Sequence, residues 1–87
     1  MENESREEQI RERLERIRIK AEDFLKTDTR AFIIDINNTY YFCDILTVGE
    51  VSILIHNFKG VRMDQNEKIF IADIVTFKEY QDKEDLK

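Results

Sequence analysis

The apolar residues Ile10, Leu14, Ile17, Ala21 and Phe24 recur at spacings of four, three, four and three, and beyond Thr27 that period disappears. Residues so spaced lie along one face of a helix, so the change of period divides the chain into one helix and a remainder that follows other rules. Ser5 with Glu8 three residues later forms a capping-box pattern. The hydroxyl accepts the third helical N–H and the carboxylate accepts the N–H of the cap, which predicts a helix over residues 5–26. Leu25 widens the stripe, Ile19 lies off it, and most other positions are charged. Glu7 precedes Arg11, and Glu12 precedes Arg16, by four residues, the favourable order on a solvated helix face.

Thr27, Asp28 and Thr29 favour a turn, and the segments that follow read as strands. Ala31 to Ile36 is β-branched and aromatic, Asn37-Asn38-Thr39 suits a tight reversal, and Tyr40 to Thr47 is again extended. Gly49 offers the next turn before a third strand, Val51 to His56, with Val51, Ile53 and Ile55 on one face. The polar stretch from Asn57 to Glu67 reads as a long hairpin connection. Lys68 to Ile71 and Ile74 to Tyr80 form two last short strands, separated only by Ala72-Asp73, and residues 81–87 form a charged tail.

Several of these strands are apolar on both faces: Phe32, Ile34 and Ile36 alternate with Ile33, and Phe42 and Leu46 with Tyr41, Cys43 and Ile45. A sheet with one wet face would not need both sets. The expected fold is therefore mainly β with one N-terminal helix. Five strongly bent antiparallel strands over residues 31–80 would close into an SH3-like small barrel, and the helix or a second subunit would cover the outer apolar set. At 87 residues this is one domain, 1–87, of a size whose burial is modest enough for stability to lean on self-association.

The helix, the short meandering strands, the variable connection between strands three and four and the tight one between four and five resemble the Sm-like fold of Sm, LSm and Hfq proteins. The segments carrying the resemblance are YYFCDILTVGEVSILI and IFIADIVTF, and it spans roughly residues 20–80. It implies six- or seven-membered rings in which strand four of one subunit pairs with strand five of the next, and it implies binding of short single-stranded RNA. The motif residues depart from the family. Cys43 stands where strand two usually has Gly, and Ile71-Ala72-Asp73 falls where a basic pair is usual, so a phosphate there would meet a carboxylate.

Composition narrows the chemistry. Fourteen basic against nineteen acidic residues give a charge of −5, which opposes indiscriminate attraction to phosphate backbones or anionic lipid. One cysteine, Cys43, cannot form an internal disulfide, and the polar start MENESREEQI does not resemble a leader, so a cytoplasmic location is expected with no membrane partner. With no proline and two glycines, neither a usual linker nor a phosphate loop is present. No paired carboxylates, triad or metal cluster can be placed, and His56 beside Asp44 and Cys43 lacks the further ligands of a zinc site. The expected protein is non-enzymatic, with no cofactor and no metal. The leading reading is a self-assembling, RNA-associated scaffold whose client is single-stranded RNA or an RNA-processing protein. Tyr41, Phe58, Lys59 and Arg62 are the candidate RNA contacts. Ile10, Leu14 and Ile17 on the helix, with Ile69, Ile71, Val75 and Phe77 on the last strands, are the candidate subunit contacts. The alternative is a protein-interaction or structural barrel with no nucleic-acid role.

Overall fold

The computed structural model describes residues 2–81, with side chains from residue 8 onward. Helix α1 spans Glu2–Thr27, followed by strands β1 (Arg30–Asp35), β2 (Tyr40–Val48), β3 (Ser52–Lys59), β4 (Asn66–Phe70) and β5 (Ile74–Glu79). One turn of 3-10 helix, Ile71–Asp73, joins β4 to β5. Helix α1 begins before Ser5, so Ser5 is a helical residue rather than the cap, and its side chain lies outside the described residues. The 3-10 turn takes Ile71 out of the expected fourth strand.

All pairings are antiparallel, in the order β4-β3-β2-β1-β5. The sheet is not closed: β4 and β5 lie at opposite edges and do not pair. This corrects the expected closure. The 3-10 turn carries the chain from one edge to the other, and α1 packs on the inner face of the sheet, over β2 and the 3-10 turn. Ala21 and Phe24 join the buried cluster of the sheet, Leu14 and Ile17 pack against it, and the Phe24 and Phe77 rings meet at 5.1 Å.

The helix ends where a short polar residue accepts a left-handed conformation. Asp28 has φ 56°, Thr29 N–H donates to the Phe24 carbonyl at 2.8 Å, and Asp28 N–H donates to Leu25 at 3.4 Å, the pattern of a Schellman end. The β1–β2 turn is built similarly. Asn38 has φ 64°, and the buried Asp35 carboxylate accepts the N–H groups of Asn37 (2.9 Å) and Thr39 (3.0 Å) and the Tyr41 hydroxyl (2.9 Å). At the β3–β4 connection Gly60 adopts φ 95° and Asp64 φ 70°, while buried Asn57 donates to the Gln65 carbonyl and the Glu67 carboxylate.

Alternation places Ala31, Ile33 and Asp35 of β1, Tyr41, Cys43 and Ile45 of β2, and Ile53, Ile55 and Asn57 of β3 on the inner face with α1. Val51, expected on that face, precedes β3 and is exposed. Ile69, Ile71 and Phe77, expected at a subunit interface, are buried in the chain's own core because the strands and the 3-10 turn point them inward. Of the other expected contacts, Ile10 (54%) and Val75 (57%) are exposed, and Leu14 and Ile17 are half-buried.

Phe24 supplies the largest apolar side chain of α1 buried in the core, so Phe24→Ala is expected to lower stability by about 3–5 kcal/mol in urea melts. For Asp35, burial pushes the carboxyl up, but the hydrogen bonds from Thr39, Tyr41 and Asn37 together outweigh it and hold it below its ordinary value. A carboxylate lowered on folding stabilises the protein fully above its unfolded value of about 3.9 and loses that contribution as pH falls through the folded value. Asp35→Asn should therefore be less stable than the native protein by about 1–3 kcal/mol at pH 7, with the gap between the two urea midpoints narrowing below about pH 4.

Candidate functional site

The residues that alternate with the core form an aromatic surface on the opposite face of the sheet. Lys78 of β5 stands opposite Phe32 of β1, Phe32 opposite Phe42 of β2, and Phe42 opposite Lys59 of β3, so four strands contribute one row, Lys78–Phe32–Phe42–Lys59. The Phe32 and Phe42 ring centroids are 5.3 Å apart, and Tyr40 meets Phe32 edge-on at 5.6 Å. Tyr80 sits edge-on to Phe42 at 5.9 Å and to Phe58 at 5.1 Å. Five rings are thereby linked by contacts of the offset and edge-to-face kind.

Cations frame the rings. Lys78 Nζ lies 5.5 Å from the Phe32 centroid, Lys59 Nζ lies 5.7 Å from that of Phe42, and the Arg30 guanidinium lies 4.2 Å from that of Phe58. Lys59 also donates to the Tyr80 hydroxyl at 3.1 Å. A cleft of about 560 Å³ opens among Phe32, Phe42, Lys59, Lys78, Glu79 and Tyr80. Its charge is mixed. Lys59 and Lys78 line the cleft with Glu79, a positive balance on a chain that carries −5 overall, and outside it Arg30 is 3.4 Å from Asp44.

A bulge completes the row. Phe42 pairs with Lys59 and Cys43 with Asn57, which leaves Phe58 as an extra residue in β3. Strict alternation from buried Asn57 would turn Lys59 inward; the bulge brings both Phe58 and Lys59 to the aromatic face. Gly60, just beyond, packs against the Phe42 ring and has φ 95°, a backbone conformation that L side chains rarely adopt.

Among the expected RNA contacts, Phe58 and Lys59 belong to this surface. Tyr41 is only 7% exposed and faces the core, with its phenol pushed up to about 12, first by burial and then by its hydrogen bond to Asp35. Arg62 sits on the β3–β4 connection, bonded to Glu67 at 2.9 Å. Phe32, Phe42, Tyr80, Arg30 and Lys78 were absent from the expected contact set. The signal available for the first two was the even-numbered set of β1 and β2, which shares a face whenever the odd-numbered set is buried.

Cys43 and His56 lie on opposite faces of the sheet, because Cys43 pairs with inward-facing Asn57 and His56 with outward-facing Asp44. They do not form a nucleophile and base. His56 Nδ1 is 2.6 Å from Asn66 Oδ1, and Nε2 is 3.8 Å from the Asp64 carboxylate. Among the described residues, no group of three or more His, Cys, Asp or Glu side chains is arranged to hold a metal ion, and no helix is long and apolar enough to cross a membrane. No protein-family model matches the chain, and no curated protein matches it.

Burial pushes the Cys43 thiol up to about 12, with the Asp44 and Glu67 carboxylates adding to the effect. The thiolate is the reactive form. Native protein at pH 8 is expected to leave Cys43 unmodified by a disulfide-forming chromogenic reagent over a time in which urea-unfolded protein reacts completely.

Proposed function

We propose that the chain is a non-enzymatic, RNA-associated scaffold of the cytoplasm whose aromatic sheet face holds short single-stranded RNA and whose copies self-assemble. The row Lys78–Phe32–Phe42–Lys59 carries this reading. Single strands are held without strong sequence preference by aromatic side chains that meet bases and by cations that track the phosphates. The row places both side-chain types on one rigid surface, with the lysines outside the rings. That arrangement suits bases at the centre and phosphates at the margins.

The strand order, the N-terminal helix and the single 3-10 turn between β4 and β5 support reading the fold as an opened Sm-like small barrel. Self-assembly is supported by the β4 edge, which no strand among the described residues covers, and by exposed Phe70 and Val51 beside it. An uncovered edge of this kind is a template for pairing with another strand.

The test is fluorescence anisotropy with a 5′-labelled twelve-nucleotide oligouridylate over a series of salt concentrations. Native protein should bind with an affinity that falls as salt rises. Lys59→Gln with Lys78→Gln should flatten the slope of log affinity against log salt by about 1.4, from roughly 0.7 per phosphate contact. Phe32→Leu, which keeps an apolar side chain, should weaken binding by about tenfold, the equivalent of about 1.4 kcal/mol of stacking. Absence of binding at 50 mM salt, or equal binding by all three proteins, would overturn the RNA reading.

A further inference from the structure

The two edges of the open sheet are not equivalent. Tyr80 donates its backbone N–H to the Arg30 carbonyl at 2.9 Å, and Ala31 pairs with Glu79, Phe32 with Lys78 and Ile33 with Phe77. Antiparallel pairs alternate between those that exchange both hydrogen bonds and those that exchange none. Tyr80, Lys78 and Thr76 therefore turn their backbone groups toward β1, and Phe77 and Glu79 turn theirs toward the free edge. The outward Phe77 carbonyl is already occupied: Lys20 Nζ of α1 donates to it at 2.9 Å. Further along the strand, Arg13 of α1 donates to the Ile74 carbonyl. Between these two bonds, Arg13, Arg16, Ile17 and Lys20 line a cleft against Val75 and Phe77, so a row of helix side chains runs beside the edge.

We infer that α1 is an edge guard, in which Arg13 and Lys20 occupy the Ile74 and Phe77 carbonyls, two of the acceptors that a strand from another copy would need, and so hold that stretch of β5 closed to sheet extension. An added strand must donate N–H groups to the outward carbonyls of the edge it joins, and a carbonyl bonded to a cation on the same chain is not free to accept them. Covering an edge with a helix and placing lysine there are both ways in which a sheet avoids joining another. At β4 the approach of α1 is apolar only: Leu14 lines a cleft with Phe70, and among the described residues no side chain of α1 hydrogen-bonds to that strand. Assembly through β5 therefore requires the two long side chains to let go, while β4 stays available throughout.

This inference rests on the self-assembly half of the proposed function and is independent of RNA binding. The experiment compares native protein with Arg13→Met/Lys20→Met, in which methionine keeps the apolar stem and removes the donor. Mass is measured by light scattering after size exclusion from 10 µM to 1 mM, with far-ultraviolet circular dichroism to confirm folding. The double variant should reach at least twice the native mass at equal concentration, and the Val75 and Phe77 amides should gain protection from hydrogen exchange. Lys20→Arg, which keeps a donor, should behave as native. Should the double variant unfold, Lys20→Met alone carries the same expectation. Native and variant proteins sharing one multimeric mass would overturn the guard and leave self-assembly standing. Two proteins monomeric throughout would overturn both, with the RNA titration unaffected.

Discussion

Burial of Ile33, Cys43 and Ile55 on one face of the sheet is the constraint on which the rest of the structure depends. Side chains on a strand alternate strictly, so a slip of one residue would send this set to solvent and bring Phe32, Phe42 and His56 into the core. Register is therefore held by the isoleucine-rich side, and the aromatic side inherits whatever geometry that register imposes. The lysine-flanked row is such a consequence: Phe32 meets Phe42 because Ala31 meets Cys43 and Ile33 meets Tyr41 one position to either side.

A chain with two glycines and no proline must also make reversals with other residues. Asp28, Asn38 and Asp64 take the left-handed conformations, which short polar side chains tolerate because they can bond to nearby backbone. Asp35 goes further by gathering two backbone N–H groups and a tyrosine hydroxyl into one buried carboxylate. This turn links the two faces. It fixes the spacing of β1 and β2, faces Tyr41 inward and leaves Tyr40 and Phe42 to the aromatic surface.

Much of the fold was legible because its signals are local. The spacing from Ile10 to Phe24 specified the helix and, from Leu14 on, its packed side, and the β-branched stretches marked the strands to within a few residues, the third running on to Lys59. The candidate site was legible in part. Phe58 and Lys59 stood out as an aromatic and a cation on a loop, but they reach the face from the end of β3, through a bulge that adjacent residues do not encode. In Tyr40-Tyr41-Phe42 alternation sends Tyr41 to one side and its neighbours to the other without saying which side the core takes; Tyr41 is the buried one, bonded to Asp35. Lys78 and Tyr80 lie more than 35 residues from Phe42 in sequence and join its surface only through β1 and its pairing with β5.

By itself the amino-acid sequence determined the element types, their order and the small-domain scale, since helix and strand periods and turn residues act over a few positions. It also determined that the strands would have two apolar faces. Only the tertiary structure decided how those faces are used. It placed α1 on the isoleucine face, left the sheet open with β4 and β5 at opposite edges, and set Arg13 and Lys20 on the carbonyls of one edge. The physical reason is range. A helix cation and a strand carbonyl about sixty residues apart find each other only after the core has brought their elements together, and no local pattern of either segment specifies that meeting.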